Sequence, residues 1–233
     1  MWCSTNVGNE ILFTGSSTTI TFYDPVRNTY RQSDFLKKYF PVSEIVILAF
    51  KHSNGDLWYS GNNGGGFVRV DARDGSIHSY KKDGPRGKFK ISYYACYAED
   101  KNGDLWFGVN KSETLVHWIL KEDRFEEFNL FKLPGMSGLT MTGINELIMD
   151  GHDNLWAGFD GGGLFRYNIQ NRSITHFGIG NGLPTNYIGS LQTDGRNRLW
   201  IGTPKGLSCY IPEENKFINF TRDDGLPEDF FNE

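Results

Sequence analysis

Long apolar runs are missing from this 233-residue sequence: none approaches the roughly 20 residues that cross a bilayer as a helix. The opening MWCSTNVGNE has neither a basic segment nor an apolar core, so it is not a signal peptide, and any leader of a parent protein lies outside these residues. Cysteine is scarce. Cys3, Cys96 and Cys209 lie far apart without CxxC spacing, which argues against a zinc site and a disulfide framework. Clusters of basic residues are absent too: 24 Lys and Arg are scattered among 28 Asp and Glu, for a net charge of −4, leaving no electrostatic footprint for nucleic acid or an anionic membrane. No GxSxG or HExxH occurs, and His52, His78, His117, His152 and His176 fall at different places along the pattern described next. No catalytic residue, metal site or cofactor is assigned.

What the sequence has in quantity is glycine, 28 residues, and aromatic side chains, 15%, a composition that leans toward β structure with many turns. It also repeats. A Leu-Trp pair after an Asn-Gly or Asp-Gly type of turn recurs as NGDLWYSG with Trp58, NGDLWFG with Trp106, DGHDNLWAG with Trp156 and DGRNRLWIGT with Trp200. A degenerate copy, NEILFTG, places Leu12 where tryptophan would stand, and the spacings are 46, 48, 50 and 44 residues. In the last full copy NYIGSLQTD, RLWIGT, GLSCYIP and KFINF read as four short strands joined by turn residues. Four strands per period of this length describe one blade of a β-propeller. The expected fold is all-β: about five four-stranded antiparallel blades, with residues 1–233 a single propeller domain or a fragment of one. No helix-length apolar pattern lies between the strands, which excludes a parallel α/β sheet. SDFLKKYFPVSEIVILAF has room for one helical turn before Pro41 and is read as a loop. The four tryptophans are expected to wedge between blades, where truncation to alanine costs roughly 3–5 kcal/mol.

Two features invite a sharper reading. The glycine runs in LWYSGNNGGGFVRVD and LWAGFDGGGLFRYN resemble phosphate-cradling loops, but both lead into another strand rather than a helix, with no GxGxxG and no Lys-Ser/Thr. They are read as tight crossings from a second to a third strand, where positive φ or close approach is required. Asp100, Asn102 and Asp104 have the alternate spacing of a calcium loop, yet Leu105 holds the sixth position and the twelfth is not glutamate, so they are read as an ordinary turn.

The string GLPTNYIGSLQTDGRNRLWIGTPKGLSCYIPEENKFINF, from Gly182 to Phe220, and the following DGLPEDFFNE resemble the two-component regulator propeller repeat; GLP combined with LWIGT is specific, whereas LW alone would be weak. The resemblance covers nearly all of the chain, though the first copy lacks its tryptophan and its GLP. It implies the extracytoplasmic, periplasmic sensor of a hybrid histidine kinase, non-catalytic in this segment, recognising a small glycan and relaying to kinase domains elsewhere in the parent chain. Family propellers are typically seven-bladed, which at this period needs roughly 330 residues against roughly 235 for five blades. The chain starts inside a first strand and stops inside the equivalent strand of a further copy, so the expectation is five blades of a larger ring, whose unpaired edges would invite association such as a homodimer.

The strand-joining turns NGD and DGRN are nearly interchangeable, while the other loops differ from copy to copy. That places a ligand at the end of the blades carrying the second-to-third crossings and the connections between blades. The candidate binding residues are Asn62, Asn63, Lys111, Asp160 and Lys205 at the crossings, and Arg86, Lys88, Tyr93, Tyr94, Asn186 and Tyr187 in the connections. Amide, carboxylate and cationic groups bond directionally to sugar hydroxyls, and tyrosine faces stack on pyranose rings. The alternatives are a propeller enzyme similar to the streptogramin B lyases, which needs a histidine and a metal-binding carboxylate to converge, and a protein-interaction scaffold. Sialidase-like chemistry is disfavoured because Lys101 and Gly151 stand where its repeat box has aspartate.

Overall fold

The computed structural model describes residues 3–15, 17–40, 45–62, 66–81, 85–86, 89, 94–109, 112, 114–130 and 143–228. Within them the chain forms five four-stranded sheets, each a meander in chain order. The first comprises β1 (Cys3–Val7), β2 (Glu10–Gly15), β3 (Ser17–Asp24) and β4 (Thr29–Ser33); the second β5 (Val46–Lys51), β6 (Leu57–Gly61), β7 (Phe67–Val70) and β8 (Ile77–Tyr80). The third holds β9 (Tyr94–Glu99), β10 (Leu105–Val109), β11 (Thr114–Ile119) and β12 (Arg124–Asn129); the fourth β13 (Ile144–Met149), β14 (Asn154–Phe159), β15 (Gly163–Asn168) and β16 (Ile174–Phe177). The fifth is β17 (Ser190–Thr193), β18 (Leu199–Thr203), β19 (Gly206–Ile211) and β20 (Lys216–Phe220). The antiparallel registers place Trp58 across from Arg69, Trp156 from Arg166 and Trp200 from Cys209. This is the all-β, five-blade arrangement that the period implies. The chain gathers into two compact units, Met1–Tyr94 with Trp118–Glu127, and Ala95–His117 with Phe128–Glu233.

In the first unit Leu12, Ile20 and Phe22 pack on Ala49, Tyr59 and Val68, and the Trp58 ring meets Trp118 at 4.6 Å. In the second, Trp106 joins Leu147, Ala157 and Tyr167, and Trp156 with Phe177 meets Leu191, Ile201 and Tyr210. Trp58, Trp106 and Trp156 are buried as wedges, whereas Trp200 is half-buried, stacked on Phe220 at 5.9 Å. One segment takes the alternative to the loop reading: Phe35–Lys38 is a single 3₁₀ turn ahead of Pro41, because burying Leu36 in the first core cluster favours closing the chain there.

The turn before each tryptophan has a cause that the sequence reading did not extract. An aspartate six residues ahead of the ring caps it. Asp150 Oδ1 accepts the N–H groups of His152 (2.8 Å) and Asn154 (3.0 Å), while Oδ2 accepts the Trp156 indole N–H (2.8 Å). Asp194 repeats this with Arg196, Arg198 and, at 3.0 Å, Trp200; Asp100 does so with Asn102, Asp104 and, at 3.4 Å, Trp106. In the second sheet His52 stands in that place and its Nδ1 accepts the Asn54 N–H at 3.2 Å. One carboxylate thus ties the turn to the wedge, which is why the two recur together. The Trp200 indole, then Arg198 and the backbone donors, hold the Asp194 carboxyl well below its usual range.

Candidate ligand-binding end of the blades

The crossing in the fourth sheet is built by glycine. Gly161 and Gly163 have φ of +86° and +80°, and a Cβ on Gly163 would stand 2.5 Å from the Phe177 carbonyl oxygen. Only glycine lets β15 start this close to the end of β16. The crossing is then bonded to the connection that follows the sheet: Gly163 N–H donates to the Asn186 carbonyl at 2.7 Å, and Ile188 N–H to the Phe159 carbonyl at 3.0 Å. The His176 Nε2–H, 2.9 Å from the Gly162 carbonyl, closes the same loop. His176 is not one of the sequence candidates, and its register opposite Phe165, which brings it to this loop, exists only in the folded sheet.

The connection itself is the GLP motif. A short 3₁₀ turn, Ile179–Asn181, ends on Gly182 at φ +106°, and Asn181 Oδ1 accepts the Gly178 N–H at 2.9 Å. The next copy repeats it with Arg222–Asp224, Gly225 and the Thr221 N–H. Leu183 is buried and anchors the turn in the core.

The candidates divide accordingly. In the second unit Tyr187 lies against the Gly161 crossing, where a Cβ would be 3.6 Å from its ring, and Asp160 precedes that glycine in the chain. Tyr187 is 54% exposed and Asp160 is exposed. Asn186 lies between them in the chain, but its Oδ1 accepts the Ile179 N–H at 3.0 Å, a structural task. Lys205 is exposed at the fifth sheet's own crossing, its backbone N–H held by Thr203 Oγ1. In the first unit Asn62 is occupied, its Oδ1 accepting the Ile45 N–H at 3.2 Å. Arg86 bonds the Asp123 carboxylate at 2.6 Å and lies over the Tyr80 ring. Asn63, Lys88, Tyr93 and Lys111 lie outside the described residues; Tyr94 opens β9, and its side chain is outside the description.

One cluster of potential metal ligands exists among the described residues, Asp100, Asp104 and His117, with ligand atoms within 4.8 Å of one another. Asp100 already receives two backbone N–H groups and the Trp106 indole, as Asp150 and Asp194 do without forming such a cluster. Its geometry is therefore that of the turn cap. No helix among the described residues is long and apolar enough to cross a membrane.

Residues 182–205 match the family model described as two component regulator propeller. No curated protein matches the sequence. Among solved structures, the extracellular domain of BT3049, described as a hybrid two-component system of B. thetaiotaomicron, superposes with a TM-score of 0.76 at 20% identity, over 97% of this chain and 29% of that one. The extracellular domain of BT4673 from the same organism gives 0.71 at 21% identity, over 99% and 28%. A streptogramin B lyase gives 0.69 at 16%, over 97% and 69%. This chain thus spans less than a third of the first two. The chain carries a two-component regulator propeller repeat at residues 182–205 and has the β-propeller fold that the extracellular domains of those two-component proteins share.

Proposed function

We propose that this chain is the non-catalytic, ligand-sensing propeller of a hybrid two-component sensor, placed in the periplasm, which recognises an oligosaccharide and relays its presence to a histidine kinase in the parent chain. Residues 1–233 are read as one propeller domain or as five blades of a larger, seven-bladed ring. The observation that carries the reading is the matched repeat at 182–205, which includes the Asn186–Tyr187 connection. In this reading the exposed Tyr187 ring, which lies against the Gly161 crossing, supplies a stacking face for a pyranose, and the exposed Asp160 ahead of that glycine supplies a hydroxyl acceptor. The turn ends of the third, fourth and fifth sheets are held by capping aspartates, whereas the crossing sequences differ from sheet to sheet, the asymmetry that one asymmetric ligand requires.

The test is a thermal-shift screen of the chain against oligosaccharides, followed by calorimetry of any hit on Tyr187→Ala and Asp160→Asn. A stabilising glycan whose affinity falls about tenfold or more in both variants, and which is recovered unchanged after incubation, supports the reading. Hits indifferent to both variants, or a glycan consumed on incubation, overturn it. The lyase-like alternative draws on the Asp100, Asp104 and His117 cluster, and consumption of a streptogramin B by the chain would favour it.

A further inference from the structure

The turn end of the first unit holds a cavity of about 400 Å³ where the β5–β6, β7–β8 and β11–β12 turns meet. Arg69 lines it. This side chain projects from β7 and is only 9% exposed, with its guanidinium 5.9 Å from the Trp58 ring and 5.5 Å from the Trp118 ring. Two carboxylates pair with it as ions but stand beyond hydrogen-bond distance: Asp56 Oδ2 is 3.7 Å from Nε and Asp123 Oδ1 is 3.6 Å from Nη1. Among the described residues the buried Arg69 Nε has no hydrogen-bond partner.

Neither carboxylate can swing in to close these gaps, because each is held elsewhere. Asp56 accepts the Ala72 N–H at 3.0 Å and the Asn54 amide at 3.1 Å. Asp123 accepts the Tyr80 hydroxyl at 2.6 Å, the Trp118 indole N–H at 3.3 Å and Arg86 at 2.6 Å. A buried charged donor left short of acceptors is costly, and a polar gap beyond about 3.5 Å is where a bridging oxygen belongs. The charges decide what that oxygen is part of. Arg69, Arg73 and Arg86 are matched by Asp56, Asp71 and Asp123, with Arg73 closed on Asp71 at 2.6 Å. An anion would face three carboxylates and a cation the guanidiniums. A neutral hydroxyl accepts from the arginine and donates to the aspartate at once.

We propose that this cavity binds a neutral polyol of about one ring, a monosaccharide or a cyclitol, through hydroxyls that bridge Arg69 to Asp56 and Asp123. Its volume lies within the ordinary range of small-molecule sites, about 300–1,000 Å³. The site is at the opposite end of its sheets from the crossings, so it stands or falls apart from the oligosaccharide reading.

The experiment is a titration of the ¹⁵N-Trp-labelled chain, with the Trp118 indole resonance assigned by its loss in Trp118→Phe. Glucose and myo-inositol are the neutral probes; glucuronate and glucosamine are the charged ones. The Trp118 indole N–H donates to Asp123 and should shift saturably with a neutral probe and about tenfold more weakly with either charged one. Leu120→Phe, which narrows the cavity without touching the ion pairs, should abolish the shift, and Arg69→Met should do the same. No saturable shift with either neutral probe, preference for a charged probe, or an undiminished shift in Leu120→Phe each overturns the proposal. A water-bridged ion pair alone gives the first of these. Tyr187→Ala should leave the titration unchanged.

Discussion

Replacing Gly163 by alanine separates two reasons for a glycine run. Gly161 and Gly163 share a left-handed backbone, φ +86° and +80°, which costs an L-residue about 1–2 kcal/mol at either place. They differ in what a Cβ would meet. At Gly161 nothing comes closer than the Tyr187 ring at 3.6 Å, ordinary contact. At Gly163 the Phe177 carbonyl oxygen is 2.5 Å away and His176 Nε2 3.1 Å, so the end of β16 must move, and forcing such an overlap costs about a further 1–3 kcal/mol. Gly161→Ala should therefore lose about 1–2 kcal/mol and Gly163→Ala about 2–5 kcal/mol. Asparagine, which tolerates the left-handed region, should relieve the loss at 161 and not at 163. The assay is urea unfolding followed by tryptophan fluorescence, comparing midpoints at constant slope. Equal losses at the two positions would show that the approach of β15 to β16 is not what demands glycine. Gly66 and Gly206, whose Cβ would meet the Tyr80 and Phe220 carbonyl oxygens at 2.0 and 2.2 Å, should follow Gly163.

Trp156→Ala should destabilise the chain by about 3–5 kcal/mol, and Trp200→Ala by clearly less, because the first ring is fully buried between sheets and the second is half-buried; chemical denaturation of the pair reads the difference. The carboxyls of Asp194 and Asp71 are held below the usual 3.8, the first chiefly by the Trp200 indole and the second chiefly by Arg73. A depressed folded value stabilises the fold above the unfolded one, so this contribution should be complete above about pH 4 and fade as the pH falls further. Acid unfolding followed by fluorescence should accordingly show a shallower decline in Asp194→Asn. Burial pushes the Cys96 thiol well up, and Cys209 is buried as well, so neither should be alkylated by iodoacetamide in the native chain, while both should react in urea. Rapid native labelling read by mass spectrometry would contradict that packing.

The fold was legible because its causes repeat. Packing positions such as Leu12, Trp58, Trp106 and Trp156 must be large and apolar in every blade, and the tight turns before them admit few residues, so period and strand number show in the letters alone. The cap at Asp100, Asp150 and Asp194 was equally periodic, at a constant six residues before the ring, yet its second bond, to the indole, appears only when strand and turn are folded against each other. Polar site residues behave differently. Asn62, Arg86 and Asn186 were chosen because amides and guanidinium groups suit sugar hydroxyls, but each already serves a partner: the Ile45 N–H, the Asp123 carboxylate and the Ile179 N–H. Residue type reveals what a side chain could bond and says nothing about whether that capacity is already taken. Arg69 is the converse case. Its letter marks a solvated strand residue, and only the Trp118 ring and two restrained carboxylates, supplied by other turns, convert it into a buried donor short of acceptors. Variation among repeats is thus the ground for proposing the crossing end of the blades as a binding face, the exposure of Tyr187 is the ground for naming it there, and the accounting of polar partners is the ground for proposing Arg69 at the turn end.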